Sequence, residues 1–139
     1  MRSLLAIPAA ALVLAAFLPA DSEVVTVHAT CDGAKLGAHS VTPETVTLAQ
    51  DQDIDWELDD ASTATDLSIV PKQAGHWPYA NAENFHGGHG HAHRAHGDGK
   101  HMNKKADGTY QYSIDLSCPD GQGGSHAVTI DPTIIVHGG

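Results

Sequence analysis

The chain has 139 residues and carries 17 Asp and Glu against 7 Lys and Arg, a formal net charge of -10 at neutral pH. That length holds one modest core and leaves little room for a second. An excess of negative charge opposes a phosphate backbone, so nucleic acid is excluded as a natural partner.

Residues 1–20 read as a secretory leader: Met1-Arg2 is a short positive start, residues 4–18 form an apolar run, and Leu18-Pro19-Ala20 offers a small residue before a cut after Ala20. The run is short and alanine-rich for a membrane span, and no second apolar stretch follows, so a cleaved leader is expected and an uncleaved anchor is the minor alternative. Residues 21–139 are therefore expected to be one exported domain, periplasmic or extracellular, with no stable membrane insertion once the leader is removed. Cys31 and Cys118 would then meet an oxidising compartment, where a disulfide is the natural expectation. The alternative, a metal thiolate or a nucleophile, lacks a Cys-x-x-Cys spacing to support it.

Beyond the leader, apolar residues recur with period two. Val25, Val27 and Ala29 alternate with Thr26, His28 and Thr30; Val46 and Leu48, introduced by Pro43, alternate with Thr45 and Thr47. The clearest case is Asp53-Ile54-Asp55-Trp56-Glu57-Leu58, whose Ile54, Trp56 and Leu58 are expected to face a core while the acids face water. Residues 67–70, 109–116, 126–130 and 133–136 complete about seven short strands, parted by turn pairs such as Asp120-Gly121 and Asp131-Pro132. The pattern predicts an all-β fold, an antiparallel sandwich of two sheets. Residues 71–108 show little periodicity and are expected to form a long loop, which at that length in a compact domain is functional or disordered. Within it, Trp77-Pro78-Tyr79 reads as a hydrophobic clasp in preference to a recognition patch, since an exposed cluster would be a liability.

Eleven histidines are many for this length, and six of them (His86, His89, His91, His93, His96 and His101) crowd into FHGGHGHAHRAHGDGKH. Neutral imidazole is the commonest protein ligand for zinc, copper and nickel. Gly87, Gly88, Gly90, Gly97 and Gly99 leave the backbone free to wrap an ion and argue against a helix or a packed core there. His89, His91 and His93 alternate with small residues, so in an extended chain they project to one side; His93 and His96 can close a bend around the same ion. Ordering such a segment costs roughly 1–2 kcal/mol per residue. The expectation is weak binding of several interchangeable ions, Cu(II) or Zn(II) foremost and Ni(II) after them, with Cu(II) ahead at equal availability and no tightly held cofactor. The bland alternative is a solvated low-complexity spacer.

Other signals are weaker. Asp51-x-Asp53-x-Asp55 begins like a calcium loop, yet Trp56 stands where glycine is needed and Ser62 at the twelfth position, so a solvated strand face is expected. No Gly-x-Ser-x-Gly, P-loop or triad spacing is present, and the expectation is a protein that is not an enzyme. His28, His126 and His137 fall in or beside strands, where a structural or exposed role is the default; His39 and His76 fall in loops and carry no signal.

The strand signatures resemble those of the cupredoxins, small exported β-sandwiches of the plastocyanin and azurin kind. The resemblance spans nearly all of residues 21–139. It rests on Pro-x-x-Val-x-Leu at 43–48, acid-x-acid-Trp at 53–56, Gly-x-Tyr-x-Tyr at 108–112 and Asp-Pro-Thr-Ile-Ile-Val at 131–136. It implies a cupredoxin-like sandwich. The blue-copper ligands of that family do not carry over: the segment around Ala64 that would hold the first histidine has none, Ile114 stands where the cysteine would be, and no methionine follows Met102. A blue-copper site needs a thiolate and two imidazoles. The sequence thus points to an exported metal-binding protein that captures, buffers or delivers ions through its His-rich loop. The alternatives are a non-catalytic module for a protein partner in the cell envelope, and a redox protein with a nonstandard copper site.

Overall fold

The computed structural model describes residues 22–80, 85–86, 93–119 and 125–138; the leader, its cut site, the Asp120-Gly121 pair, His89 and His91 lie outside them. Ten strands are described: β1 (Glu23–Asp32), β2 (Lys35–Thr42), β3 (Thr45–Ala49), β4 (Ile54–Leu58), β5 (Thr65–Pro71), β6 (Phe85–His86), β7 (Arg94–Gly97), β8 (Gly108–Pro119), β9 (Ser125–Ile130) and β10 (Thr133–His137). They form an all-β sandwich. One sheet runs β2-β1-β4-β7; the other runs β3-β10-β8-β5-β6, with β9 pairing along the later part of β8. Among the described residues no helix is long and apolar enough to cross a membrane.

Alternation sets the sandwich. Val25, Val27 and Ala29 of β1, Val46 and Leu48 of β3, and Ile54, Trp56 and Leu58 of β4 point inward and are buried, because a strand that packs on one face must place every second side chain there. Trp56 sits at the centre: its indole edge meets the Tyr112 ring of β8 across the core at 5.8 Å, and its Nε1–H donates to the Tyr112 hydroxyl at 3.0 Å. Burial pushes the Tyr112 hydroxyl up to about 12, with the Trp56 bond acting the other way. Large buried aromatics of this kind carry much of a small core's energy, provided that their polar ends find partners.

Three features differ from the sequence expectation. The sheets are mixed rather than purely antiparallel: β4 runs parallel to β1, and β10 runs parallel to β3. Period-two patterning says which face is buried and nothing about a neighbour's direction. The strands also exceed seven, since β2, β6 and β7 carry no clean alternation; β2 is an edge strand with most of its residues exposed or half-buried. Finally, residues 71–108 are not one continuous loop. They include β6, β7 and a 3-10 turn at Gly99–His101, and they bury Trp77, Tyr79, Ala95, Met102 and Ala106. Trp77 packs edge-on against Tyr112 at 5.9 Å and Tyr79 lies beside it, so the Trp77-Pro78-Tyr79 segment is a clasp on the core.

Cys31 and Cys118 are joined, with Cα atoms 5.6 Å apart. The bond ties β1 of one sheet to β8 of the other next to a bulge between Ala29 and Cys31, and Cys118 is fully buried. The joined residues are 87 apart in sequence. By the chain-entropy argument, closing so long a loop in the unfolded chain stabilises the fold by about 4–5 kcal/mol. The double substitution Cys31→Ser, Cys118→Ser is expected to lower the unfolding free energy from urea titration by that amount, and a loss below about 1 kcal/mol would show that the link constrains little.

Candidate metal-binding edge

The His-rich tract splits between the frame and the residues beyond it. Its first histidine, His86, lies in β6, which pairs with β5 opposite Ser68. Its later part forms β7, which adds to the other sheet with Arg94 opposite Glu57, His96 opposite Asp55 and Gly97 opposite Ile54. The strands β6 and β7 lie against each other. The span 87–92, which holds His89 and His91, therefore joins two neighbouring sheet edges at fixed points.

The packing of β7 corrects the expectation that glycine bars this stretch from a packed core. Ala95 and Gly97 face inward and are buried; Arg94 and His96 face out. A side-chain carbon on Gly97 would sit 2.8 Å from Ile54 Cγ2 and 2.9 Å from the Tyr79 ring, and one on Gly99 would sit 2.0 Å from the carbonyl oxygen of Asp51. Gly97 lets β7 approach β4 and Tyr79 closely, and Gly99 lets the following turn approach the Asp51-Gln52 backbone that leads into β4. The rest of the join is polar. Leu58 N–H donates to the His93 carbonyl at 2.8 Å, Gly99 N–H to Asp53 Oδ1 at 2.6 Å, and Ala80 N–H to the His101 carbonyl at 2.6 Å.

The acids of β4 and its entry, expected only to face water, also receive this tract. His96 Nδ1 bonds Asp55 Oδ1 at 2.6 Å, and Asp55 accepts a second bond from the Ser22 hydroxyl through its other oxygen. His96 Nε2 is 4.0 Å from Asp53 Oδ2. Arg94 pairs with Glu57 at 3.5 Å, an exposed pair worth little by itself. His101 Nδ1 lies 3.4 Å from Asp98, whose carboxyl is held below the usual range first by the Lys100 backbone N–H and then by the neighbouring positive groups. His93 is exposed and lines an open hollow of 580 Å³ with Glu57, Asp59, Asp60 and Arg94. His93, His96 and His101 thus stand separately along one edge. Among the described residues no three or more His, Cys, Asp or Glu side chains converge on one point.

The chain matches no protein-family model, and a search of curated proteins finds no relative.

Two places where the cupredoxin resemblance would look for copper ligands are apolar. Ala64 and Ile114 are fully buried. The segment before Ala64 is fastened to β1: Thr63 and Ala64 N–H groups both donate to the Ala29 carbonyl, Ala29 N–H donates to Ser62 Oγ, and Cys31 N–H donates to Thr63 Oγ1.

One histidine that sequence left as structural or exposed is held in the manner of a ligand. His28 Nδ1 lies 3.0 and 2.9 Å from the two oxygens of Asp59, and the Ser62 hydroxyl donates to Asp59 Oδ1 at 2.7 Å. The hydroxyl bonds the acid and not the imidazole, so the three do not form a nucleophile with its base. The pattern repeats the Ser22, Asp55 and His96 arrangement: a serine holds a carboxylate that holds an Nδ1. Only the outward alternation of β1 and the Asp59-Asp60 pair hinted at it. The remaining loop histidines have local roles. His76 stacks on the Tyr110 ring at 4.5 Å and bonds the Thr109 carbonyl, whereas His39, expected in a loop, lies in β2 opposite Ala29 and bonds the Gly37 carbonyl.

The Asp59 carboxyl is held below its ordinary value, chiefly by the His28 bond and next by Ser62; Lys72 does the same for Asp131. Each titrates below its unfolded value of about 3.9, so its stabilising effect is full above that value and is lost as the pH falls through the depressed folded value. A carboxyl-carbon NMR titration should give Asp59 a midpoint under about 3.9 that moves up in His28→Ala; an unmoved midpoint would deny the bond its role. Gly99→Ala should cost at least about 2–3 kcal/mol in unfolding free energy, the upper part of the overpacking range, because the obstacle is backbone. A neutral result would mean that the turn is not packed on Asp51.

Proposed function

We propose that this protein captures divalent transition-metal ions, Cu(II) or Zn(II) foremost and Ni(II) after them, through the imidazoles of residues 86–101. It holds and passes on its cargo without turning over a substrate. The observation that carries this reading is the anchoring of the tract. His86 and His93 flank the span containing His89 and His91, on adjacent edges of the two sheets, and His96 stands next to a row of carboxylates. A tract with pinned ends loses less conformational freedom on closing around an ion than one that hangs free, which offsets part of the roughly 1–2 kcal/mol per ordered residue. Nearby negative charge also favours a cation.

The sandwich is best read as cupredoxin-like. Three of the stretches that carry the resemblance lie in adjacent strands of one sheet: β10, with Ile134 and Val136, sits between β3, with Val46 and Leu48, and β8, with Tyr110 and Tyr112. An oxidised cysteine pair fits an exported domain. On this reading the chain keeps the frame and carries its metal chemistry at the sheet edge, away from the positions now filled by Ala64 and Ile114.

The test is calorimetric titration with Cu(II) and Zn(II) at neutral pH. Because residues 93–101 belong to the frame, deleting the tract would remove β7; six His→Gln substitutions at 86, 89, 91, 93, 96 and 101 isolate the imidazoles instead. The intact chain is expected to bind more than one equivalent of either metal, Cu(II) the tighter, and the substituted chain to lose at least ten-fold in affinity. Binding that survives all six substitutions, or no binding by the intact chain, would overturn the reading.

A further inference from the structure

The clearest geometry on the β4–β7 edge lies around His96. Its two ring nitrogens face two different carboxylates. Nδ1 is bonded to Asp55 Oδ1 at 2.6 Å, and Asp55 is itself braced by the Ser22 hydroxyl. Nε2 faces Asp53 Oδ2 across 4.0 Å, too far for a hydrogen bond. Asp53 is fixed through its other oxygen, Oδ1, which accepts the Gly99 N–H at 2.6 Å. Each acid therefore spends one oxygen on the frame and turns the other to the same imidazole.

A carboxylate on one nitrogen of a histidine commonly fixes the tautomer and aims the other nitrogen at a metal. With Nδ1–H donated to Asp55, the free lone pair is left on Nε2, and Asp53 Oδ2 is the carboxylate oxygen 4.0 Å from it. An ion about 2.0–2.1 Å from both a nitrogen and a carboxylate oxygen at a tetrahedral angle holds them about 3.4 Å apart. The observed gap is wider by little more than half an ångström, a distance that a small rotation of the half-exposed His96 and Asp53 side chains about their anchored atoms would close. The backbone supports the spacing: Asp55 and His96 are directly opposite in the β4–β7 ladder, and Asp53 lies just before β4, held by the Glu23 N–H on its carbonyl and the Gly99 N–H on its carboxylate.

We propose that a divalent transition-metal ion seats between His96 Nε2 and Asp53 Oδ2, with Asp55 as the positioning residue on Nδ1 and water in the remaining positions. This rests on the capture reading and deepens it by naming a first seat on the frame with mixed nitrogen and oxygen donors. Such a mixed nitrogen and oxygen set suits Zn(II) as well as Cu(II), and adds a carboxylate oxygen to the imidazoles that the tract offers. The sequence could not show it, because Asp53 and His96 are 43 positions apart and meet only through β7.

The decisive comparison uses zinc chloride as the probe and the chain in which His86, His89, His91, His93 and His101 are all Gln, leaving His96. That chain is expected to bind one zinc ion by calorimetry, with a change in the His96 Nε2 nitrogen shift by NMR. Adding Asp53→Asn should weaken binding at least ten-fold without lowering the urea midpoint, because the amide oxygen still accepts the Gly99 N–H while its NH2 cannot ligate. Adding Asp55→Asn should weaken it ten- to a hundred-fold. Unchanged affinity in Asp53→Asn, or zinc retained after His96→Gln, would overturn the seat. No zinc on the five-Gln chain, with several ions on the intact chain, would also overturn it while leaving the wider capture reading in force. No metal on the intact chain would sink both.

Discussion

Side chains on a strand alternate, and β4 has no freedom in how that alternation falls. It lies between β1 and β7, and Ile54 and Trp56 are fully buried, Trp56 bridging the core to Tyr112 through both an edge-on ring contact and a hydrogen bond. A one-residue slip would turn Asp55 and Glu57 into the core and Trp56 into water, at a cost far above the stability of a domain this size. With the inner row fixed, the acids must face out. The antiparallel β7 then presents Arg94 and His96 against them in register. The same constraint that builds the core therefore lines up carboxylates and imidazole at the sheet edge.

Glycine in the tract has two physical roles that composition cannot separate. Gly97 and Gly99 are where another residue's atoms already stand, those of Ile54, Tyr79 and the Asp51 carbonyl. They belong to the frame, and the backbone around them is held by bonds from Asp53 and the Leu58 N–H. Gly87, Gly88 and Gly90 lie outside the described residues, and for them the sequence argument for a backbone able to wrap an ion is unchanged. What reads as one low-complexity segment is a strand and a turn preceded by a six-residue span. The fold brings the two ends of that span to neighbouring edges, a condition under which several weak imidazole ligands can act together.

Much of the frame was legible in the sequence. The inward rows of β1, β3, β4, β5, β8 and β10 follow the period-two pattern, and the pairing of Cys31 with Cys118 is the one expected of a chain with two cysteines and a leader-like start. Other features were hidden for identifiable reasons. The eight residues of β2 are mostly exposed or half-buried, so no alternation marks them. The inner residues of β7 are alanine and glycine, which carry little hydrophobic signal because the apolar bulk they cover is supplied by Ile54 and Tyr79. Parallel pairing of β1 with β4 and of β3 with β10 depends on which strands become neighbours, and no local pattern encodes it. Of the edge itself the histidines were visible and their partners were not: Asp53, Asp55 and Asp59 look like solvated acids until β7 and His28 are set against them.

On the proposed capture reading, the sheet edge sets anchored carboxylates where imidazoles arrive and leaves the core apart from any bound ion. Nitrogen-15 NMR of the histidine side chains during addition of Zn(II) to the intact chain addresses that most directly, since it reports each imidazole separately. If the tract captures the ion, the ring nitrogens of His86, His89, His91, His93, His96 and His101 shift while those of His39, His76 and His137 stay in place. Tract imidazoles unmoved by zinc, or equal shifts at all the exposed histidines, would contradict it.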